Sequence, residues 1–264
     1  MQPLTAYIKG IGLVGPGMDL WPDARAILRA ERPYSPQATR LQAPAALPAT
    51  ERRRAGTVVR LALTAGLEAI AAAGHAPQDL ATVFASSGAD GSNCHAICAT
   101  LASGDPLLSP TRFHNSVSNA AAGYWSIATQ ASAPSTVVCA HDASFGAGLI
   151  EALAQVVVDQ RPCLLIAYDA AYPEPLYSVR PIPDAFGIAL LLSPDASSAG
   201  AGRISARLGD ETADTLQDAA LESLRRAIPA ARSLPLLQCL ARSGTGRVVL
   251  DYLPGSQLLL ELTP

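Results

Sequence analysis

With 264 residues, 49% of them apolar and 16% charged, the chain is long enough to bury the core of one large domain or of two closely packed halves. Its net charge of −3 and the lack of any basic stripe exclude a nucleic-acid surface. No apolar run approaches the ~20 residues of a spanning helix, and no basic segment followed by an apolar one opens the chain, so a cytoplasmic protein without a membrane span is expected.

Tyr7–Val14 reads as a strand ending in Gly-Pro-Gly, and Trp21–Arg29 as a short helix. The stretch from Pro33 to Pro48 predicts a long irregular connection, and the charge cluster Glu51–Arg54 a solvated helix start. In the next helix Val59, Ala62, Leu63, Gly66, Leu67 and Ile70 recur at helical spacing, with Arg60, Thr64 and Glu68 expected on the opposite side and Gly74 at its end. Thr82–Ser86 is a short buried strand, followed by the small-residue loop SSGADGS and a helix carrying Cys94, His95 and Cys98. From Phe113 to Ser126, the small residues Ala120 to Gly123 permit tight helix packing, and the amides Asn115 and Asn119 are expected to bond nearby backbone where buried.

Thr136 to Gln155, TVVCAHDASFGAGLIEALAQ, organises the rest. It predicts a strand, a tight turn capped by Asp142, and a helix whose only charge between Ala143 and Val158 is Glu151. A helix apolar on nearly every side is sandwiched, and Gly146 and Gly148 let neighbours come close. Strands follow at Cys163–Ala167, at AFGIALLLS and at Ile204–Leu208, then a helix from about Ala213 to Ala227. Strands near Leu236 and Val248 and a last one at Leu258–Leu262 complete an α/β chain with layered sheets.

His141, Asp142 and Ser144 are triad-type residues, but triad members meet across space, and a nucleophile elbow needs glycine on both sides of the serine. Only Gly146 satisfies that pattern, so capping and packing are expected instead. Cys94 and Cys98 share a helix face while His95 points off it, and no second zinc-like pair occurs, so no metal site is expected. The five cysteines, Cys94, Cys98, Cys139, Cys163 and Cys239, stand in apolar surroundings and predict buried free thiols in a reducing compartment. Cys139 is the one thiol near the turn, and a nucleophilic role there would require a lowered pKa and a nearby histidine.

Four segments in order, IKGIGLVGPG, NSVSNAAAGYWSIA, TVVCAHDASFGAGLIEALAQ with RPCLLIAYDA, and AFGIALLLS, resemble the β-ketoacyl synthase family over roughly Ala6 to Pro194. The second is similar to that family's Asn-x-x-Ala-Gly-x-x-Ser-Ile segment. The resemblance implies a thiolase-like layered α-β-α-β-α fold with a shortened C-terminal half. Residues 1–264 would form a single domain, 1–194 matching the N-terminal half and 195–264 a truncated C-terminal half. It implies no cofactor.

The departures bear on activity. Where the resemblance puts the family's cysteine nucleophile stands Ala143 or Ser144, and both histidines of its C-terminal half are missing, since His141 is the last in the chain. Decarboxylative condensation uses that thiolate and histidine pair. FHNSV, AAGYWSIA and DASFGAGL resemble most the short chain-length-factor-like proteins of aryl polyene and xanthomonadin-type pathways. The resemblance implies a non-catalytic subunit that pairs with a full-length ketosynthase and meets acyl carrier protein indirectly. The strand Thr136, Val137, Val138, Cys139 would pair across a two-fold axis. Phe113, His114, Asn115, Ser116 and Asn119 would reach the partner's acyl tunnel, with Phe113 and Tyr124 giving it shape. Two rivals stand beside this reading. One is an acyltransferase or hydrolase using Ser144 or Cys139; the other is a homodimeric acyl-carrier scaffold, for which Arg52, Arg53, Arg54 and Arg112 are the few basic candidates.

Overall fold

The structure is a computed structural model that describes residues 3–196 and 200–264. In chain order it contains β1 (Leu4–Val14), α1 (Trp21–Leu28), α2 (Ala49–Arg54), α3 (Thr57–Ala73), β2 (Ala81–Ala85), α4 (Gly91–Leu101), α5 (Pro110–His114), α6 (Ala120–Thr129) and β3 (Ser135–Val138). There follow α7 (Ser144–Asp159), β4 (Cys163–Asp169), α8 (Leu176–Val179), β5 (Phe186–Ser193), β6 (Gly202–Gly209), α9 (Ala219–Ala227), α10 (Leu234–Arg242), β7 (Gly246–Leu253) and β8 (Ser256–Thr263). Single 3-10 turns at His141–Ala143 and Pro229–Ser233 lead into α7 and α10.

All eight strands share one mixed sheet in the order β3-β2-β4-β5-β1-β6-β8-β7. β2 pairs parallel with β3 and β4, and every other pairing is antiparallel. β1 is the seam, with Tyr7–Val14 facing β5 and Leu4–Ile8 facing β6. The layered α/β fold expected from the sequence is present, and its C-terminal strands join the first five through β1. β4 shows how the layers arise: Cys163, Leu165 and Ala167 point into one core, Leu164, Ile166 and Tyr168 into the other. A strand covered on both faces has to be apolar throughout, as this one is until its last residue.

α3 and α6 cover one face of the sheet, bringing Leu61, Leu63 and Trp125 against Phe84, Ile166 and Leu191. α7 covers the other and is the sandwiched helix its composition predicts. A methyl on Gly148 would meet Ala85 Cβ at 2.6 Å and Leu165 Cδ1 at 2.9 Å. A methyl on Gly146, on the far side of the helix, would meet the Tyr252 ring of β7 at 2.8 Å. The two glycines thus let α7 lie close to sheet and β7 at once.

Four expectations are corrected. Leu236 lies in α10, not in a strand: Leu234, Leu237 and Leu240 share its buried face at helical spacing. The helix expected from Ala213 starts at Ala219, where the Asp218 carboxylate accepts the Ala220 and Leu221 N–H groups. Upstream, Asp214 is tied to β7, its N–H donating to Val249 O at 2.8 Å and its carboxylate accepting Val249 N–H at 2.8 Å. Of the five cysteines only Cys163 is buried; Cys239 is intermediate, and Cys94, Cys98 and Cys139 are exposed, the last because β3 is the sheet's edge. Finally, Glu68 does not sit apart from the core.

The Glu68 carboxylate accepts Leu13 N–H at 2.8 Å and Trp21 N–H at 2.7 Å, joining the end of β1 to the first turn of α1. Burial raises its pKa despite those two donors. Glu68→Ala would orphan both N–H groups, so a loss of about 1.5–3 kcal/mol in urea unfolding is expected. Glu68→Gln, which keeps one acceptor oxygen, should lose less.

Candidate functional site

Because β2, β3 and β4 run parallel, their C-terminal ends open on the same side, and the connections that leave them converge there. That end of an open α/β sheet is where ligands bind. The site is built from the loop after β2, the turn between β3 and α7, the last residue of β4, and Arg180 and the Pro229–Ser233 turn further along the chain.

The turn before α7 is held by local bonds. His141 has φ +52, the left-handed region that a residue with a side chain seldom occupies. Ser144 locks it: its hydroxyl donates to His141 O at 2.7 Å and accepts Ala140 N–H at 3.0 Å, with 1% of the residue exposed. Ala143 takes the N-cap position and no side chain caps the helix, so Asp142 does not act as the expected cap. Its carboxylate instead receives Arg180 Nη2 at 2.7 Å and Arg232 Nη2 at 2.9 Å. His141 Nε2 contacts Arg180 Nη1, and its Nδ1 lies 3.5 Å from Asp142. His141, Asp142 and Arg180 form one wall of an open cleft of about 880 Å³ that continues along α9.

Beneath the turn lies Asp169, 3% exposed, which accepts Ser87 N–H and Ala230 N–H at 2.8 Å each. Burial pushes its carboxyl from 3.8 up to about 6, against those donors and Arg180. A carboxyl with a raised folded pKa contributes stability that is complete below its unfolded pKa and lost as pH rises through the folded one. Between about pH 4 and pH 6 this group should therefore lower the unfolding free energy by roughly 3 kcal/mol. Asp169→Asn should flatten that stretch of the stability–pH curve measured by urea unfolding. An identical curve in the variant would assign the dependence elsewhere.

Cys139 stands exposed just past the end of β3, its thiol raised by partial burial and by the Asp169 carboxylate. That is the reverse of nucleophile activation. Among the described residues no three His, Cys, Asp or Glu side chains gather as metal ligands, and no helix is long and apolar enough to cross a membrane. Cys94 and Cys98 lie exposed one turn apart on α4.

The segment read as reaching a partner is largely exposed. Phe113 is 68% exposed on α5, close in sequence to the exposed Leu107 and Val117. Ser116 donates to Phe113 O at 2.8 Å, and Asn115 Nδ2 donates to Arg54 O at 2.9 Å, so the amide does bond nearby backbone. Asn119 is exposed at the N-cap of α6 without a side-chain cap bond. Tyr124 lies under this surface, its hydroxyl donating to Asn115 Oδ1 at 3.2 Å and its ring edge-on to His114. Thr136, Val137 and Val138 form the edge strand, with Thr136 Oγ1 accepting Gln155 Nε2 at 3.1 Å. Arg180, Arg232 and Asp169 were not singled out by sequence. An acid closing the wholly apolar run CLLIAY was a signal for Asp169; nothing local marks the two arginines.

A mixed sheet wrapped about a buried helix whose N-terminus faces the cleft defines a thiolase-like fold. The Beta-ketoacyl synthase, N-terminal domain family matches residues 27–248, and the chain belongs to the β-ketoacyl synthase family. No curated protein matches the sequence significantly. The structure is similar to the ketosynthase ApeO in complex with its chain length factor ApeC from Xenorhabdus doucetiae, with TM-score 0.75, 24% identity, and 98% of this chain and 99% of that one covered. The ishigamide ketosynthase/chain length factor gives TM-score 0.72 at 15% identity, covering 98% and 100%. AntDE:AntF, a type II PKS acyl-carrier protein in complex with its ketosynthase, gives 0.74 at 9% identity, covering all of both chains. At these identities the likeness establishes the fold.

Proposed function

We propose that this chain is a non-catalytic chain length factor, which pairs with a full-length ketosynthase and shapes an acyl or polyene tunnel. The observation that carries the reading is the turn before α7. It holds Asp142 clamped by two arginines, Ala143, and a Ser144 hydroxyl spent on backbone bonds, and no thiol stands at Ala143 or Ser144. No histidine follows His141 in the sequence, and the ring of His141 engages Arg180 and Asp142. A nucleophile needs a base within hydrogen-bond reach, and neither Ser144 nor the raised thiol of Cys139 has one among its described contacts. The end position of β3 in the sheet and the exposed apolar Leu107, Phe113 and Val117 support the presence of a partner.

The chain should be co-expressed with the ketosynthase encoded beside it and its native mass measured. A one-to-one heterodimer is expected; a homodimer that ignores the ketosynthase would overturn the reading in favour of a homodimeric carrier scaffold. Acyl loading of the chain alone, lost in Ser144→Ala or Cys139→Ala, would favour the acyltransferase or hydrolase reading. In the reconstituted pair Phe113→Ala should lengthen the product distribution by at least one extension unit, read by mass spectrometry. Unchanged products would remove Phe113 from the tunnel.

A further inference from the structure

A separate cleft of about 640 Å³ lies away from the turn before α7. Lys9 and Gly10 of β1, the Gly200–Gly202 entry to β6 and Pro264 beyond β8 contribute to its lining. Ile8 pairs with Leu192, and Leu192 with Cys163, the first residue of β4, so this is the end of the sheet opposite Asp169. It shares no lining residue with the cleft along α9.

Three cations line it from three elements: Lys9 on β1, Arg25 in the last turn of α1 and Arg242 in the last turn of α10. Among the described residues no aspartate or glutamate lines it, and even with a carboxylate counted on Pro264 the balance is positive. Glu68, bonded to the Trp21 N–H, spends its carboxylate on that group and on Leu13 N–H. Arg242 is held by one bond, its Nε donating to Leu28 O at 3.1 Å, and its two terminal nitrogens have no partner among the described residues. The exposed Arg25 guanidinium and the Thr245 hydroxyl likewise make no hydrogen bond or ion pair there. The Lys9 ammonium, 5.5 Å from the Tyr7 ring centroid, adds its charge. Cations gathered in one cleft without an acid repel one another, and a ligand with more than one negative charge relieves that repulsion.

We propose that this cleft binds a diphosphate, free or as part of a nucleotide. A guanidinium presents planar paired donors that match phosphate oxygens, and two phosphoryl groups occupy Arg25 and Arg242 together where one would occupy a single arginine. The Thr245 hydroxyl donates to a phosphoryl oxygen. Trp21, half-buried at the start of α1, supplies a flat apolar wall for the base of a nucleotide. The volume is that of small-molecule sites. Binding here uses no covalent step and does not depend on pairing with a ketosynthase.

The test is isothermal titration of the purified full-length chain with inorganic pyrophosphate and with ADP, at about 0.15 M salt, with sulfate as the comparison probe. One site per chain is expected, with sulfate at least about tenfold weaker than the tighter of the two. ADP tighter than pyrophosphate supports a nucleotide as the source of the diphosphate; pyrophosphate as tight or tighter supports the free anion. Arg25→Gln, an exposed substitution that should leave the thermal midpoint unchanged, is expected to weaken binding about tenfold, and Arg226→Gln, in the other cleft, not at all. The chain has two tryptophans and Trp125 is 1% exposed, so a ligand-dependent change in emission should report Trp21 and vanish in Trp21→Phe. No saturable binding, sulfate as tight as both probes, an Arg25→Gln affinity equal to the parent, or an equal loss in Arg226→Gln would each overturn the proposal. A failed heterodimer with an intact diphosphate site would sink only the pairing reading, and the converse only this one.

Discussion

Val137→Pro is expected to leave the chain folded and abolish the one-to-one complex with a ketosynthase proposed for it. β3 is an end strand of the sheet, and the course of its bonds to β2 fixes which groups are free. Thr82 N–H donates to Pro134 O at 3.1 Å and Ser86 N–H to Val138 O at 3.2 Å. In a parallel ladder with that register the backbone groups of Thr136 and Val138 face β2, so those of Val137 face outward. Proline is tolerated where a strand's N–H faces solvent, and it removes a ladder donor where a neighbouring strand would pair. The substitution thus separates folding from association. Circular dichroism should match the parent, while native mass after co-expression should show no heterodimer. A heterodimer that survives would mean that β3 is not the pairing edge, whatever the role of Phe113.

Much of the fold was legible because its signals are local. The alternation in CLLIAYD, the charge-free run after Ala143, and the left-handed Gly74 that ends α3 each report a structural constraint within a few residues. The errors fall where a distant partner overrides a local pattern. Glu68 lies on the polar side of an amphipathic helix by spacing alone, yet the end of β1 and the start of α1 bring two unpaired N–H groups to it. Asp142 has the sequence context of a cap, but Arg180 and Arg232, 38 and 90 residues on, claim its carboxylate. Around Leu236 the four-residue apolar run LPLL does not by itself distinguish a strand from a buried helix. Cys139 looked buried because the sequence cannot say that its strand is the sheet's last. The candidate site suffers most from this, since five separate parts of the chain, from the loop after β2 to the Pro229–Ser233 turn, build it.

The other large effect is expected at β1, from Gly12→Ala. A methyl there would stand 2.0 Å from Ala65 O and 2.9 Å from Ala69 N, both backbone atoms of α3. Gly10 repeats the arrangement one turn along, 2.0 Å from Ala69 O. Side chains can rotate away from an intruding methyl; a helix backbone has to move as a body. Moving α3 off β1 would open the core that holds Leu61, Leu63 and Ala65. The cost should reach the upper end for overpacking, about 3 kcal/mol or more, a large part of the 5–15 kcal/mol that a folded domain has in total. Gly123→Ala is the matched comparison: it lies inside α6 with nothing within 4 Å of the added carbon, so helix propensity alone should stabilise the chain by about 0.5–1 kcal/mol. Urea midpoints should therefore move in opposite directions for the two substitutions. Since β1 joins β5 to β6, a loosened α3 also frees the seam of the sheet, and Gly12→Ala should lose the heterodimer together with its fold. Val137→Pro should lose the heterodimer alone, and that contrast is what ties the edge strand, rather than general stability, to association.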